Sequence, residues 1–246
     1  MQHSHFTVTS TTTAQTMPVY QVRRSSAPIQ IDGVLDEWDW IAAERLQCRK
    51  FSHEPEDEKP LREQTQVAGL WDDKNLYLAF VIQDREIWST IDEPGARLFP
   101  EECVEFFLDP DGTGERYVEA QINSRNNIRD LLVDGSIKSS GYAEFDRMAL
   151  WDFRQLKKAM RIYEDDKGRH AGWTLELAIP WRELSFSRRT WPPQPGDELR
   201  INFYRYERPR SGDLPLELSA WSPVLDFHDP SRFGRFVFVA EPAGSR

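Results

Sequence analysis

The sequence predicts an all-β fold, an antiparallel β-sandwich of the jelly-roll or immunoglobulin-like kind with one or two short helices. Three observations predict it. About ten short stretches alternate apolar and polar side chains, the period of a strand with one face buried. Turn residues punctuate them, as in Asp72-Asp73-Lys74-Asn75, Asp109-Pro110-Asp111-Gly112 and Asp165-Asp166-Lys167-Gly168. Aromatic residues make up 12% of the chain, and their rings pack well on pleated surfaces. At 246 residues, 39% of them hydrophobic, the chain suffices for one large β domain.

The elements follow in order. Residues 1–17 are rich in Ser, Thr and Gln without apolar periodicity and read as a disordered tail, leaving 18–246 as the domain. Val19–Val22 is a first strand and Ile29–Ile31 a second extended piece, ending at an Asp32-Gly33 turn. Leu35 to Leu46 suggests a short helix, with Asp36 as N-cap and Trp40, Ala43 and Leu46 on one face. Residues 52–64 are charged and hold two prolines, so they form a surface loop.

Thr65 to Asp84 reads as a hairpin whose second strand, LYLAFVIQD, is apolar on both faces and therefore covered on both. An extended piece spans Ile128 to Val133, and residues 142–158 fit helix or strand. Met160–Glu164 and Gly172–Ile179 make another hairpin, followed by a helical turn from Pro180. The last strands are Leu199–Glu207, Glu217–Ser222 and Arg235–Val239. Six tryptophans (Trp38, Trp40, Trp71, Trp173, Trp181 and Trp221) fall within these patterns and are expected in the core. Trp88 and Trp191, in loops, are the surface candidates.

Composition narrows the partners. A net charge of −10 disfavours nucleic acid and anionic membranes and suits neutral ligands or hard cations. No run approaches the roughly 20 apolar residues of a membrane span, and no signal peptide is visible at the N-terminus. Cys48 and Cys103 are expected as two buried thiols, or as one bridge if the protein is exported. A monomer is expected.

The stretch LFPEECVEFFLDPDGTGERYVEAQIN, Leu98 to Asn123, concentrates the candidate functional residues. Val104, Phe106 and Leu108 share one face of a strand, with Cys103, Glu105 and Phe107 on the other. In the next strand, Glu119, Gln121 and Asn123 alternate with Val118, Ala120 and Ile122. Such a row of acceptors and amides suits a polyhydroxylated ligand, and equally a solvated sheet face. In the turn, Asp109, Asp111 and Glu115 space oxygens as a calcium site does, though without the EF-hand pattern; turn-capping aspartates are the alternative. Asn202 and Tyr204 could add polar contacts, while Arg205 suits a structural ion pair. Glu105 and Glu119 are the one imaginable glycosidase pair. There is no P-loop, nucleophile elbow, HExxH or GxGxxG, so no enzyme is expected.

Seven pieces in order (IDGVLDEWDW, VAGLWDDKNLYLAFVIQD, EECVEFFLDPDG, YVEAQIN, WTLELAIPW, GDELRINFYR and WSPVLDFHDPSRFGRFVF) make residues 28 to 239 resemble the family 9 carbohydrate-binding modules. The resemblance implies a non-catalytic sandwich that binds sugars. Known members are appended to bacterial xylanases and grip polysaccharide chain ends. Two tryptophans sandwich a sugar ring, polar side chains meet its hydroxyls, and calcium supports the loops. It implies an extracellular or periplasmic setting and no organic cofactor. Position by position, the sandwich aromatics become Phe99 and Phe227, the strand glutamate is Glu105, and Gln121 stands where those members carry arginine. Two alternatives remain. One is a haem-binding relative using Met17, Met148 or Met160 with His53, His170 or His228. The other is a structural or partner-binding sandwich without a sugar site.

Overall fold

The computed structural model describes residues 16–51, 60–134, 152–224 and 226–244. The tail up to residue 15, most of the charged loop, Met148, His53 and most of the ambiguous 142–158 stretch lie outside them. The strands are β1 (Val19–Arg24), β2 (Leu46–Gln47), β3 (Arg49–Lys50), β4 (Thr65–Trp71), β5 (Asn75–Gln83), β6 (Cys103–Asp109) and β7 (Arg116–Ile122). They continue with β8 (Ile128–Asp134), β9 (Lys157–Glu164), β10 (His170–Pro180), β11 (Glu198–Glu207), β12 (Glu217–Ala220) and β13 (Gly234–Pro242).

They hydrogen-bond along one path, β8-β7-β6-β11-β13-β1-β4-β5-β10-β9, which curls so that its two halves face each other. Phe80 of β5 meets Phe203 of β11 edge-on at 5.6 Å across the resulting core. Val104, Phe106, Leu108, Val118, Leu78 and Leu175 fill the same layer. β2 pairs with β4 and β3 with β12, so residues 46–50 cross from one half to the other.

The antiparallel expectation holds for most pairs but needs one correction: β1 runs parallel to both β13 and β4, so the sheet is mixed. β1 lies between strands distant in sequence, where no tight hairpin fixes the direction. The predicted helix is also shorter. It covers only Trp38–Ala42 (α1), is preceded by Glu37 without a side-chain cap, and gives way at Ala43 to extended backbone leading into β2. Ile29–Ile31 forms no strand. Trp38, expected in the core, is 66% exposed, whereas Trp40 is buried. Two positions apart on a helix, the indoles point to nearly opposite sides, so only one faces the core. Trp191 stacks on Trp181 with the rings 5.2 Å apart, and Trp88 donates its indole N–H to the Arg208 carbonyl at 2.7 Å. Cys48 and Cys103 are both buried free thiols.

β5 is apolar on both faces because both are covered. Leu76, Leu78, Phe80 and Ile82 enter the main core, while Tyr77 and Ala79 join an outer cluster with Ile29, Trp40 and Ala178. The segment over that outer face is pinned by Glu176 of β10, whose carboxylate accepts from the Asp32 and Gly33 amides at 3.0 Å and from the Trp40 indole at 2.8 Å. Gly33, at φ +81°, passes so close to β9 that a Cβ would meet the Met160 carbonyl carbon at 2.9 Å, so glycine alone fits this turn.

Candidate functional site

The face of β7-β6-β11 turned away from the main core is the candidate site. Register places Tyr204 beside Glu105 and Glu105 beside Gln121, all on that face. Asn202, Phe107 and Glu119 form the next row. The row is not a solvated surface. Phe107, Tyr117, Tyr204 and Phe233 pack into a second apolar cluster there, with Phe51 and Phe227 against it. Loops on either side of the strands close over this cluster.

Four of the expected ligand residues hold those loops. Gln121 accepts from the Leu98 amide at 2.9 Å and donates to Glu119 at 2.8 Å. Asn123 donates to Ser89 Oγ and the Ile91 carbonyl, both at 2.8 Å, and accepts from the Arg125 and Asn127 amides at 3.1 Å. Asn202 accepts from the Ser222 amide at 2.8 Å and donates to Tyr204 Oη at 2.9 Å. Tyr204 donates onward to the Phe227 carbonyl at 3.1 Å. Gln121 and Asn123 thus fix the loop carrying Phe99, while Asn202 and Tyr204 fix the loop carrying Phe227.

Glu105 differs from these four. It is 2% exposed, yet no hydrogen bond from the described residues reaches its carboxyl. Burial drives its pKa well above the carboxylate range, and the nearby Glu119 carboxylate adds to this. Glu119 is pushed up to about 7, again by burial, with the Gln121 amide and Arg129 opposing. Its other oxygen lies 3.8 Å from His228 Nε2, and His228 Nδ1 lies 2.9 Å from Tyr117 Oη.

Phe99 and Phe227 do not bracket an open cleft. Both lie against Tyr206, with ring centres 6.0 and 5.6 Å away, and Phe227 also stacks on Phe51 at 4.6 Å. Together the rings form a half-buried aromatic row beside Glu105. Tyr206 belongs to the same alternation as Asn202 and Tyr204 and was legible there. Arg129 was not. It comes from β8 and registers beside Gln121, the position where the resemblance implies an arginine. Only the β7-β8 pairing reveals that.

The turn residues are hydrogen-bonded within the turn or paired with arginine. Asp109 accepts from the Gly112 and Gly114 amides at 3.0 and 2.9 Å, Asp111 from Thr113 Oγ1 at 2.7 Å, and Glu115 pairs with Arg188 at 3.1 Å. Among the described residues, a different trio, Asp84, Glu102 and Glu207, brings carboxylate oxygens within 4.8 Å of one another.

The sequence profile described as "Carbohydrate family 9 binding domain-like" matches residues 31–241. The chain belongs to this family. No curated protein matches it. Among solved structures it is similar to a proposed carbohydrate-binding protein from Bacteroides uniformis ATCC 8492, at 15% identity and a TM-score of 0.69, over 91% of this chain and all of that one. It is also similar to a family 9 module from Caldicellulosiruptor kristjanssonii in complex with cellotriose, at 16% identity and TM-score 0.63, over 93% and 97% of the two chains. The same module in complex with glucose gives 16% and 0.62, over 92% and 99%. At these identities the family 9 neighbours establish the shared β-sandwich.

The raised carboxyls carry a pH signature. Glu105 and Glu119 hold protons in the folded chain at pH values where the unfolded chain has released them. Their stabilising contribution is therefore complete below about pH 4.5; that of Glu119 is lost as pH rises through about 7, and that of Glu105 is lost as pH rises through its own raised pKa. Urea midpoints taken without ligand are expected to fall between pH 5 and pH 8. A Glu119→Gln variant should flatten the slope. A wild-type midpoint that climbs over this range would contradict the assignment.

Proposed function

We propose that this family 9 domain is a non-catalytic carbohydrate-binding unit that takes the end of an oligosaccharide or polysaccharide on the outer face of β7-β6-β11. The observation that carries the reading is the buried Glu105 carboxyl, without a hydrogen bond from the described residues, beside a half-buried row of aromatic rings. A protein rarely leaves a buried carboxyl without donors unless something else supplies them, and sugar hydroxyls are donors of that kind. Sugar C–H groups stack on ring faces such as those of Phe99, Tyr206 and Phe227, and Arg129, which donates to the Gly95 carbonyl, lies on the strand beside Gln121.

Cellotriose and glucose are the ligands in the similar Caldicellulosiruptor complexes, so gluco-configured chains are the first candidates here. Xylan fragments share the equatorial hydroxyls of such chains and come second.

Calorimetric titration with cello-, xylo- and manno-oligosaccharides tests the reading. Binding to at least one series is expected, with Phe99→Ala weakening it by about tenfold or more, equivalent to ~1.4 kcal/mol. Phe99 is the better probe because Phe227 also packs against Phe51 and Tyr204. No heat with any series, from a protein shown to be folded, would overturn it.

A further inference from the structure

Two buried carboxyls share the face beside the aromatic row. Glu105 of β6 and Glu119 of β7 lie on neighbouring strands, in adjacent rows of the register. Glu119 is held: Gln121 donates to one oxygen, and the other faces His228 Nε2 at 3.8 Å. Glu105 receives no hydrogen bond from the described residues. A buried carboxylate without donors gives way to the neutral acid.

The surrounding groups leave Glu105 without a counter-charge. Burial keeps Cys103 on its own strand, Tyr117 on β7 and Tyr204 on β11 from ionising. Arg129 of β8 donates to the Gly95 carbonyl, lies near Arg97, and favours the carboxylate of Glu119 rather than that of Glu105. From the loop over the face, His228 turns Nδ1 to Tyr117 and Nε2 to Glu119, while Asp226 and Asp229 bring negative charge. Asp109 adds another at the far end of β6. At its start, Glu102 and Arg208 act on Cys103 in opposite senses. The guanidinium and the imidazole both serve Glu119, so the two carboxyls titrate as a pair and the empty site holds protons.

We propose that Glu105 and Glu119 form a proton-sharing pair, and that a sugar binding at Glu105 expels a proton from that residue, so capture strengthens as pH rises. The proposal rests on the sugar-binding reading above. It makes Glu119 a positioning residue of that site, acting through Glu105. Hydroxyls can donate to both oxygens of Glu105 only when it is a carboxylate, so its O–H bond breaks as their hydrogen bonds form. Burial pushes Glu119 up to about 7. Below that pH Glu119 still carries its own proton, and the one leaving Glu105 goes to solvent. Above it Glu119 has ionised and takes the proton up. Binding and proton release are reciprocal, so affinity climbs by up to about tenfold per pH unit while one proton is lost to solvent, and flattens once Glu119 accepts it. The domain therefore holds sugar at neutral pH and releases it on acidification.

The test is calorimetric and uses the full chain. Cellotriose, xylotriose and mannotriose are each titrated at pH 6 in phosphate and in Bis-Tris, and at pH 8 in phosphate and in Tris. The difference in heat between buffers of unlike ionisation enthalpy counts the protons exchanged. Release of about one proton per sugar is expected at pH 6, falling by at least half at pH 8, with affinity rising roughly tenfold between pH 5.5 and pH 7. Glu119→Gln cannot take the proton up, so its release is expected to persist at pH 8. Equal heats in the two buffers at pH 6, or an affinity that falls as pH rises, would overturn the proposal, because Glu105 would then bind as the neutral acid. A release that falls at pH 8 in Glu119→Gln as it does in the wild type would overturn the pairing. No heat from any of the three sugars at either pH would instead overturn the sugar-binding reading. Binding without proton exchange leaves that reading standing, so the two fail separately.

Discussion

Replacing Glu105 by glutamine is expected to remove most of the sugar affinity while leaving the fold as stable as before, or more so. The binding loss follows from charge. The free domain holds Glu105 protonated, but sugar hydroxyls donating to it favour the carboxylate, whose charge-assisted bonds are worth about 1.5–3 kcal/mol each, whereas an amide oxygen makes weaker neutral ones, with a misplaced donor beside it. One or two such bonds amount to a loss of tenfold to several-hundredfold. The stability gain follows from burial. Glu105 is held in a desolvated site next to Glu119, and no donor among the described residues compensates it. Glutamine is neutral without having to hold a proton that the unfolded chain releases, so it removes that cost above about pH 4.5. Calorimetric titration and thermal unfolding of the same sample read both quantities. A variant that binds sugar like the wild type would remove Glu105 from the site. A variant that binds poorly because it unfolds would make Glu105 structural.

The fold was legible where period and turn chemistry agree. β5 announced a doubly covered strand through apolar residues at both parities, and the hairpins at Asp72–Asn75, Asp109–Gly112 and Asp165–Gly168 formed as the turn residues dictate. β1 was legible as a strand but not in its direction, because a parallel partner is chosen by tertiary packing. α1 was overestimated because the spacing of Trp40, Ala43 and Leu46 fits one helix face, whereas the chain turns extended at Ala43 to pair Leu46 with β4. β2 and β3, two residues each, are too short to carry a period.

The candidate site was legible in part for a related reason. Period-2 alternation correctly placed Glu105, Gln121, Asn123, Asn202 and Tyr204 on one side of the sheet, but it says nothing about what covers that side. Only hydrogen-bond partners separate Asn123 and Asn202, which tie down loops, from Glu105, which ties down nothing. The trio of Asp84, Glu102 and Glu207 was invisible in the sequence because its members sit at the ends of three strands, the nearest pair 18 positions apart. A motif search requires local spacing, and this cluster is assembled by strand order.

The other large effect expected is at Glu176, and it sharpens the first. Glu176 is as buried as Glu105, at 0% exposure, and burial raises its pKa too. Its carboxylate, however, accepts three donors: the Asp32 amide, the Gly33 amide and the Trp40 indole. Glu176→Ala would strand all three beneath the segment that covers the outer face of β4-β5-β10. At about 1–3 kcal/mol for each buried unsatisfied group, the cost is roughly 3–9 kcal/mol, a large share of the ~5–15 kcal/mol a domain possesses. A strongly lowered urea midpoint with an unchanged slope is expected, and a loss under about 1 kcal/mol would show that water or repacking satisfies these donors. Glu176→Gln should fall between, since one amide oxygen can serve part of the cradle while the NH2 opposes the remaining donors. The same Glu→Gln change is therefore expected to destabilise at 176 and to be neutral or stabilising at 105. Burial and residue type match at the two positions, so the difference in sign comes from the donors. At Glu176 the protein supplies them, and at Glu105 the ligand must.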